Sequence, residues 1–134
     1  MKHKILGLDI GSKNTGIAIS DSTKSIAFSY STIKTESLEI DIKKIIESEN
    51  IEKIIVGKNL YQSKNFQVED YVKKYLPKDI DVIYINEDFS TQKAKEIAEA
   101  KGLTEKEFKQ KKDELAAQVI LQDFLDENIQ KYYN

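Results

Sequence analysis

Residues 2–21, KHKILGLDIGSKNTGIAISD, place one carboxylate, Asp9, inside an apolar run, then a glycine-led turn and a second apolar run. Side chains alternate along a strand, so Ile5, Gly7 and Asp9 share one face while Leu6, Leu8 and Ile10 take the other. Both faces are apolar, which predicts a central strand covered on each side rather than a half-solvated one. An unpartnered charge buried in such a strand costs several kcal/mol or takes up a proton. Asp9 is therefore expected at the C-terminal end of the strand, where a cation can reach it. The plainer alternative is a solvated turn aspartate.

The chain has 134 residues, read here as one domain over 1–134 with room for a full hydrophobic core. With no cysteine, disulfides, thiolate metal sites and thiol catalysis are excluded. No run is long enough to span a membrane and no signal-peptide core is present, so a cytoplasmic location without membrane attachment is expected. The net charge of −2 gives no global basic signature, which counts against avid nucleic-acid binding. All 21 basic side chains are lysine. Lysine neutralises a phosphate as a point charge but cannot make the two-pronged contact that reads guanine, so any nucleic acid would be recognised by shape and backbone.

Strands are predicted at about Lys4–Ile10, Thr15–Asp21 and Ser25–Ile33, joined by short connections as an antiparallel meander. A helical stripe of Leu38, Ile42, Ile45 and Ile46 follows, with Ser37 as its N-cap. A short strand at Lys53–Gly57 precedes a helix marked by Val68, Tyr71, Val72 and Tyr75 and closed by Pro77. The next strand is Asp81–Ile85. Ser90 or Thr91 can cap the helix after it, which Gly102 ends. Thr104 and Glu107 match a capping box for a further helical stretch. The last helix carries Ala116, Ala117, Ile120, Leu121, Phe124 and Leu125. This order predicts an α/β fold, a mixed five-stranded sheet of three antiparallel then two parallel strands, with helices on both faces. The tyrosines and phenylalanines read as packing residues rather than as a stacking platform.

Two more acids stand out. Asp113 lies three and four residues before Ala116 and Ala117, so a helix aims it along the buried stripe; it could equally cap the helix N-terminus. Glu87 follows a strand whose C-terminal end should lie beside that of the first strand, and its plainer reading is an ordinary loop acid. Asp9, Glu87 and Asp113 converging at one sheet edge would form a hard-oxygen site suited to Mg²⁺ or Mn²⁺. Such ions serve phosphodiester hydrolysis, and without one the three carboxylates would repel. Lys13, Lys111 and Lys112 could meet phosphate nearby, although a solvated charge run also describes the last two. His3, the single histidine, reads as a surface residue, which leaves serine-hydrolase chemistry without its base.

The segments GLDIGSKNTGIAISD, IIVGKNL, NEDFSTQKA and KKDELAAQVILQDFLD resemble, in order, the YqgF/RuvX family of ribonuclease H-like proteins. The resemblance covers Lys4 to Asp126 and implies a ribonuclease H-like fold and a nuclease site using Mg²⁺ or Mn²⁺. It implies catalytic and metal-binding roles for Asp9, Glu87 and Asp113, the last as the aspartate opening the final helix. Implied partners are structured RNA, through 5′-end maturation of pre-16S rRNA, or branched DNA, through Holliday-junction resolution, and the ribosome. The family's Asp-Glu-Arg reads Asn86-Glu87-Asp88 here, and the loop after IIVG reads Lys58–Lys64 in place of Leu-Pro-Leu-Asn. These departures favour a third reading, a catalytically weakened RNA- or ribosome-binding module. A nucleotide-binding protein, suggested by DIGSKNTG, would need a second lobe that 134 residues cannot supply.

Overall fold

The computed structural model describes residues 3–58, 67–86 and 90–133, with 128–133 described by backbone alone. Five strands form one sheet: β1 (Lys4–Ile10), β2 (Asn14–Ser20), β3 (Ala27–Lys34), β4 (Ile51–Lys58) and β5 (Asp81–Asn86). Their spatial order is β3-β2-β1-β4-β5. The β1–β2 and β2–β3 pairs are antiparallel, and the β1–β4 and β4–β5 pairs parallel. This is the mixed sheet expected from the sequence, with β1 at its centre.

Helices α1 (Leu38–Glu49) and α2 (Val68–Tyr75) cover one face. There Leu6, Leu8 and Ile10 of β1 pack with Ile17, Ile19, Ile54 and Val56 against Leu38, Ile42 and Val68. On the other face, Ile5, Ala18 and Ile55 meet Ala117, Ile120, Leu121 and Phe124 of α4 (Glu105–Tyr133). Helix α3 (Ser90–Ala100) packs outside α4 through Ala94, Ala98 and Leu115. The alternation read in β1 is thus the division between two cores. No described helix is long and apolar enough to cross a membrane.

Helix α3 ends as Gly102 predicts. Gly102 has φ of 73°, its N–H donates to the Glu99 carbonyl at 3.0 Å, and the Leu103 N–H donates to Ala98 at 2.9 Å, the bond pair of a Schellman cap. Thr104 and Glu107 form the reciprocal capping box, at 2.9 and 3.1 Å.

Three expectations are corrected. The stretch after Thr104 and the last helix are one continuous α4, because KKDELAA contains no glycine or proline to break it. Asp113 is consequently more than two turns inside the helix, and it neither opens nor caps it. Ser37 precedes α1 but makes no N-cap bond; its hydroxyl donates to the Lys34 carbonyl and bonds the Asp41 carboxylate, both at 2.9 Å. Phe28 and Tyr30 are 52% and 43% exposed, because they lie on β3, the edge strand, and join neither core, whereas Ile33 of the same strand packs on the first.

Candidate functional site

The candidate site lies where β1 ends. Asp9, the penultimate residue of β1, is half-buried and stands level with Gly16 of β2, which in turn pairs with Thr32 of β3. Asp9 shares the face of Ile5 and Gly7, over which α4 lies. A Cβ built on Gly7 would sit 2.7 Å from the Leu121 Cβ and 3.2 Å from the Ala117 carbonyl oxygen; one built on Gly16 would overlap the Asp113 carbonyl. Helix α4 therefore runs antiparallel to β1, with Ala117 and Leu121 above Gly7 and Asp113 above Gly16. From Ala117 back to Asp113 is ~6 Å of helix, and from Gly7 to Asp9 is ~6.6 Å of strand. The matching steps bring Asp9 and Asp113 to the same level of the same face.

The turn beyond Asp9 is tied down. The Gly11 N–H donates to the Asn14 carbonyl at 2.9 Å, and the Thr35 hydroxyl donates to the Gly11 carbonyl at 2.7 Å. Thr35 also bonds Thr15 at 2.9 Å through their hydroxyls, and its N–H donates to the Lys13 carbonyl at 2.9 Å. Both threonines are buried, so the turn carrying Lys13 is held from below. Lys13 and Lys34 border a shallow hollow with Ser12, Asn14 and Glu36. Lys111 and Lys112 are exposed on the turn of α4 that precedes Asp113.

Glu114 adds a second half-buried carboxylate beside Asp113. Burial pushes its carboxyl above the usual range, against the opposing pull of Lys111 and Lys101. The Thr32 hydroxyl oxygen is buried without a hydrogen-bond partner among the described residues. Glu114, Lys34, Thr32 and Gly16 do not stand out from sequence reasoning. The last carries a legible signal all the same: a glycine within TGIAIS weakens a strand unless another backbone needs its space.

Glu87, with Asp88 and the altered loop after Lys58, lies outside the described residues. Strand β5 ends just before it at Asn86, in register with Lys58, and Val56 of β4 is in register with Leu8, so β5 finishes at the edge where Asp9 lies. Among the described residues no group of three or more acids, histidines or cysteines could hold a metal ion. They supply two carboxylates, Asp9 and Asp113, whose hard oxygens suit Mg²⁺ or Mn²⁺. His3 is exposed, as expected for a surface residue.

Solved structures share this architecture. The fowlpox virus resolvase, determined with substrate Holliday junction DNA, superposes with a TM-score of 0.61 at 18% identity, covering 93% of this chain and 98% of that one. Thermus thermophilus RuvC, in complex with a Holliday junction substrate, gives 0.57 at 13% identity over 95% and 96%. In sequence, a Bacteroides fragilis protein named as a candidate pre-16S rRNA nuclease is 35% identical over 133 residues, covering 92% of this chain and 96% of its own. The family model described as RuvX, Holliday junction resolvase, matches residues 3–127, and the chain belongs to that family.

Proposed function

We propose that this protein is a metal-dependent nuclease acting on structured RNA, in the 5′-end maturation of pre-16S rRNA. The observation that carries the reading is the placement of Asp9 and Asp113, from the two ends of the chain, at one level of one sheet face. The name of the 35%-identical relative supports RNA as the substrate. Asp9 and Asp113 hold the negative charge that would bind Mg²⁺ or Mn²⁺, with Glu87 as third ligand. Such an ion, when bound, supplies activated water and charge neutralisation at the phosphodiester. Lys111 and Lys112 on α4, with Lys13 and Lys34 by the β1–β2 turn, would neutralise the flanking phosphates. With no arginine in the chain, these are point-charge interactions that follow the backbone.

Branched DNA is the second reading, favoured by the family model's description as a Holliday junction resolvase. One experiment addresses both: purified protein with Mn²⁺ is offered a structured pre-rRNA fragment and a four-way DNA junction, beside Asp9→Asn. Cleavage of the RNA by the wild type and not the variant supports the proposal. Cleavage of the junction alone replaces it with the resolvase reading. Binding without cleavage of either identifies the weakened module that Asn86 and Asp88 suggest.

A further inference from the structure

Two glycines lie in the middle of strands β1 and β2, where glycine costs backbone entropy and contributes no packing. Neither has the positive φ that would require a glycine, since Gly102 is the sole glycine with φ above zero among the described residues. Space is what they provide. At Gly7 the obstruction to a Cβ includes a side chain, Leu121. At Gly16 all the nearest atoms are main chain: the Asp113 carbonyl and, at 2.7 Å, the Glu114 nitrogen. A backbone obstruction inside a continuous helix cannot turn aside as a rotamer can. A methyl at Gly16 must lift this part of α4 off the sheet.

We propose that Gly16 is a positioning residue for the site: its missing side chain seats the α4 backbone at Asp113 against β2, beside Asp9, and so sets the spacing of the two carboxylates. The proposal rests on the reading of Asp9 and Asp113 as a metal-binding pair. Asp9 and Gly16 are partners in the β1–β2 ladder, so a displacement of α4 over Gly16 changes the Asp9–Asp113 separation directly. At Gly7, one helical turn further along α4, a displacement acts mainly on the Ala117–Leu121 packing of the second core. Gly16 is thus tied to the site and Gly7 to stability.

The test is a double-mutant cycle read by Mn²⁺ binding, with free Mn²⁺ followed by electron paramagnetic resonance. Gly16→Ala should keep the wild-type circular dichroism spectrum and weaken Mn²⁺ binding by about tenfold or more, since disturbing the groups that orient metal ligands costs ~10–100-fold in affinity. Asp113→Glu, one methylene longer, should weaken binding in the wild-type background but restore part of it in Gly16→Ala, where the longer side chain spans the widened gap. Such a sign change is the signature of coupled positions. Gly7→Ala should lower the melting temperature with a smaller loss of affinity. Wild-type affinity in folded Gly16→Ala, losses that merely add in the double variant, or a Gly16→Ala chain that does not fold would each overturn the proposal. Absence of Mn²⁺ binding by the wild type would instead remove the metal-site reading on which it stands.

Discussion

The main chain of Asp113 lies directly against Gly16, so that an aspartate near the C-terminal end of the sequence meets the strand that pairs with Asp9. This contact joins the first and last motifs of the chain. It also makes the proposed Asp9–Asp113 pairing a property of the α4–sheet interface.

Replacing Asp9 with asparagine keeps the shape of the side chain and removes its charge. Asp9 is half-buried at the end of β1 and asparagine fills the same space, so the metal-free melting temperature should change little. Cleavage should fall by about 100-fold or more, the scale on which loss of one preorganised charge-stabilising group acts. Thermal melts in chelator, with cleavage rates in Mn²⁺, check both. A large loss of metal-free stability would mark Asp9 as structural.

The β2–β3 connection is held by Asp21. Partial burial, the largest single influence on its carboxyl, pushes the pKa up, but hydrogen bonds from the Thr23 hydroxyl and the Ile26 and Ser25 N–H groups outweigh it. The Ser25 and Ile26 amides donate to Oδ1 at 2.9 and 3.0 Å, and the group is held at about 2 against an ordinary 3.8. The folded-state value is depressed, so this stabilisation is complete above the ordinary value and is lost as pH falls from about 4 through about 2. Asp21→Ala should cost roughly 1–3 kcal/mol at neutral pH. The difference from wild type should shrink across that acid window in a pH series of denaturant melts.

Edge strand β3 is guarded by α4. The Ala27 N–H donates to Gln122 at 2.9 Å, Gln118 donates to the Ala27 carbonyl at 3.2 Å, and Gln122 donates to the Ser25 carbonyl at 3.0 Å. These bonds occupy edge groups that would otherwise be open to another strand, beside the exposed Phe28 and Tyr30. Gln122→Ala should destabilise the fold by about 1–2 kcal/mol and increase concentration-dependent light scattering.

The proposed phosphate-neutralising role of the lysines predicts the salt dependence of binding. Neutralising Lys111 and Lys112 together should weaken RNA binding across all sequences. It should also flatten the slope of log affinity against log salt by roughly 0.7 (single-stranded) to 0.9 (duplex) for each phosphate left without its lysine. Fluorescence anisotropy titrations at several salt concentrations measure both effects. A sequence-selective loss would contradict backbone recognition.

Much of the fold is legible in the sequence because it depends on local periodicity. The parity of Ile5, Gly7 and Asp9 against Leu6, Leu8 and Ile10 names both cores, and Gly102 and Thr104–Glu107 mark a helix end and a helix start. Periodicity also puts Asp113 on the buried stripe. It misses that this helix is the same one that Thr104 and Glu107 start, because the apolar stripe becomes regular only from Ala116 onward, although KKDELAA holds no residue that would break the helix. Exposure of Phe28 and Tyr30 depends on β3 taking the edge of the sheet, a tertiary property that strand periodicity does not carry. Gly16 is hidden for a related reason: its partner, the Asp113 backbone, is nearly a hundred residues away in the chain.

The Asp9–Asp113 metal pair is best tested on a crystal of the wild-type protein soaked in Mn²⁺, with data collected for anomalous scattering. The expected result is a peak between the Asp9 and Asp113 carboxylates, within ligand distance of both. Ordered Asp9 and Asp113 side chains that point apart, with no peak between them, would contradict it.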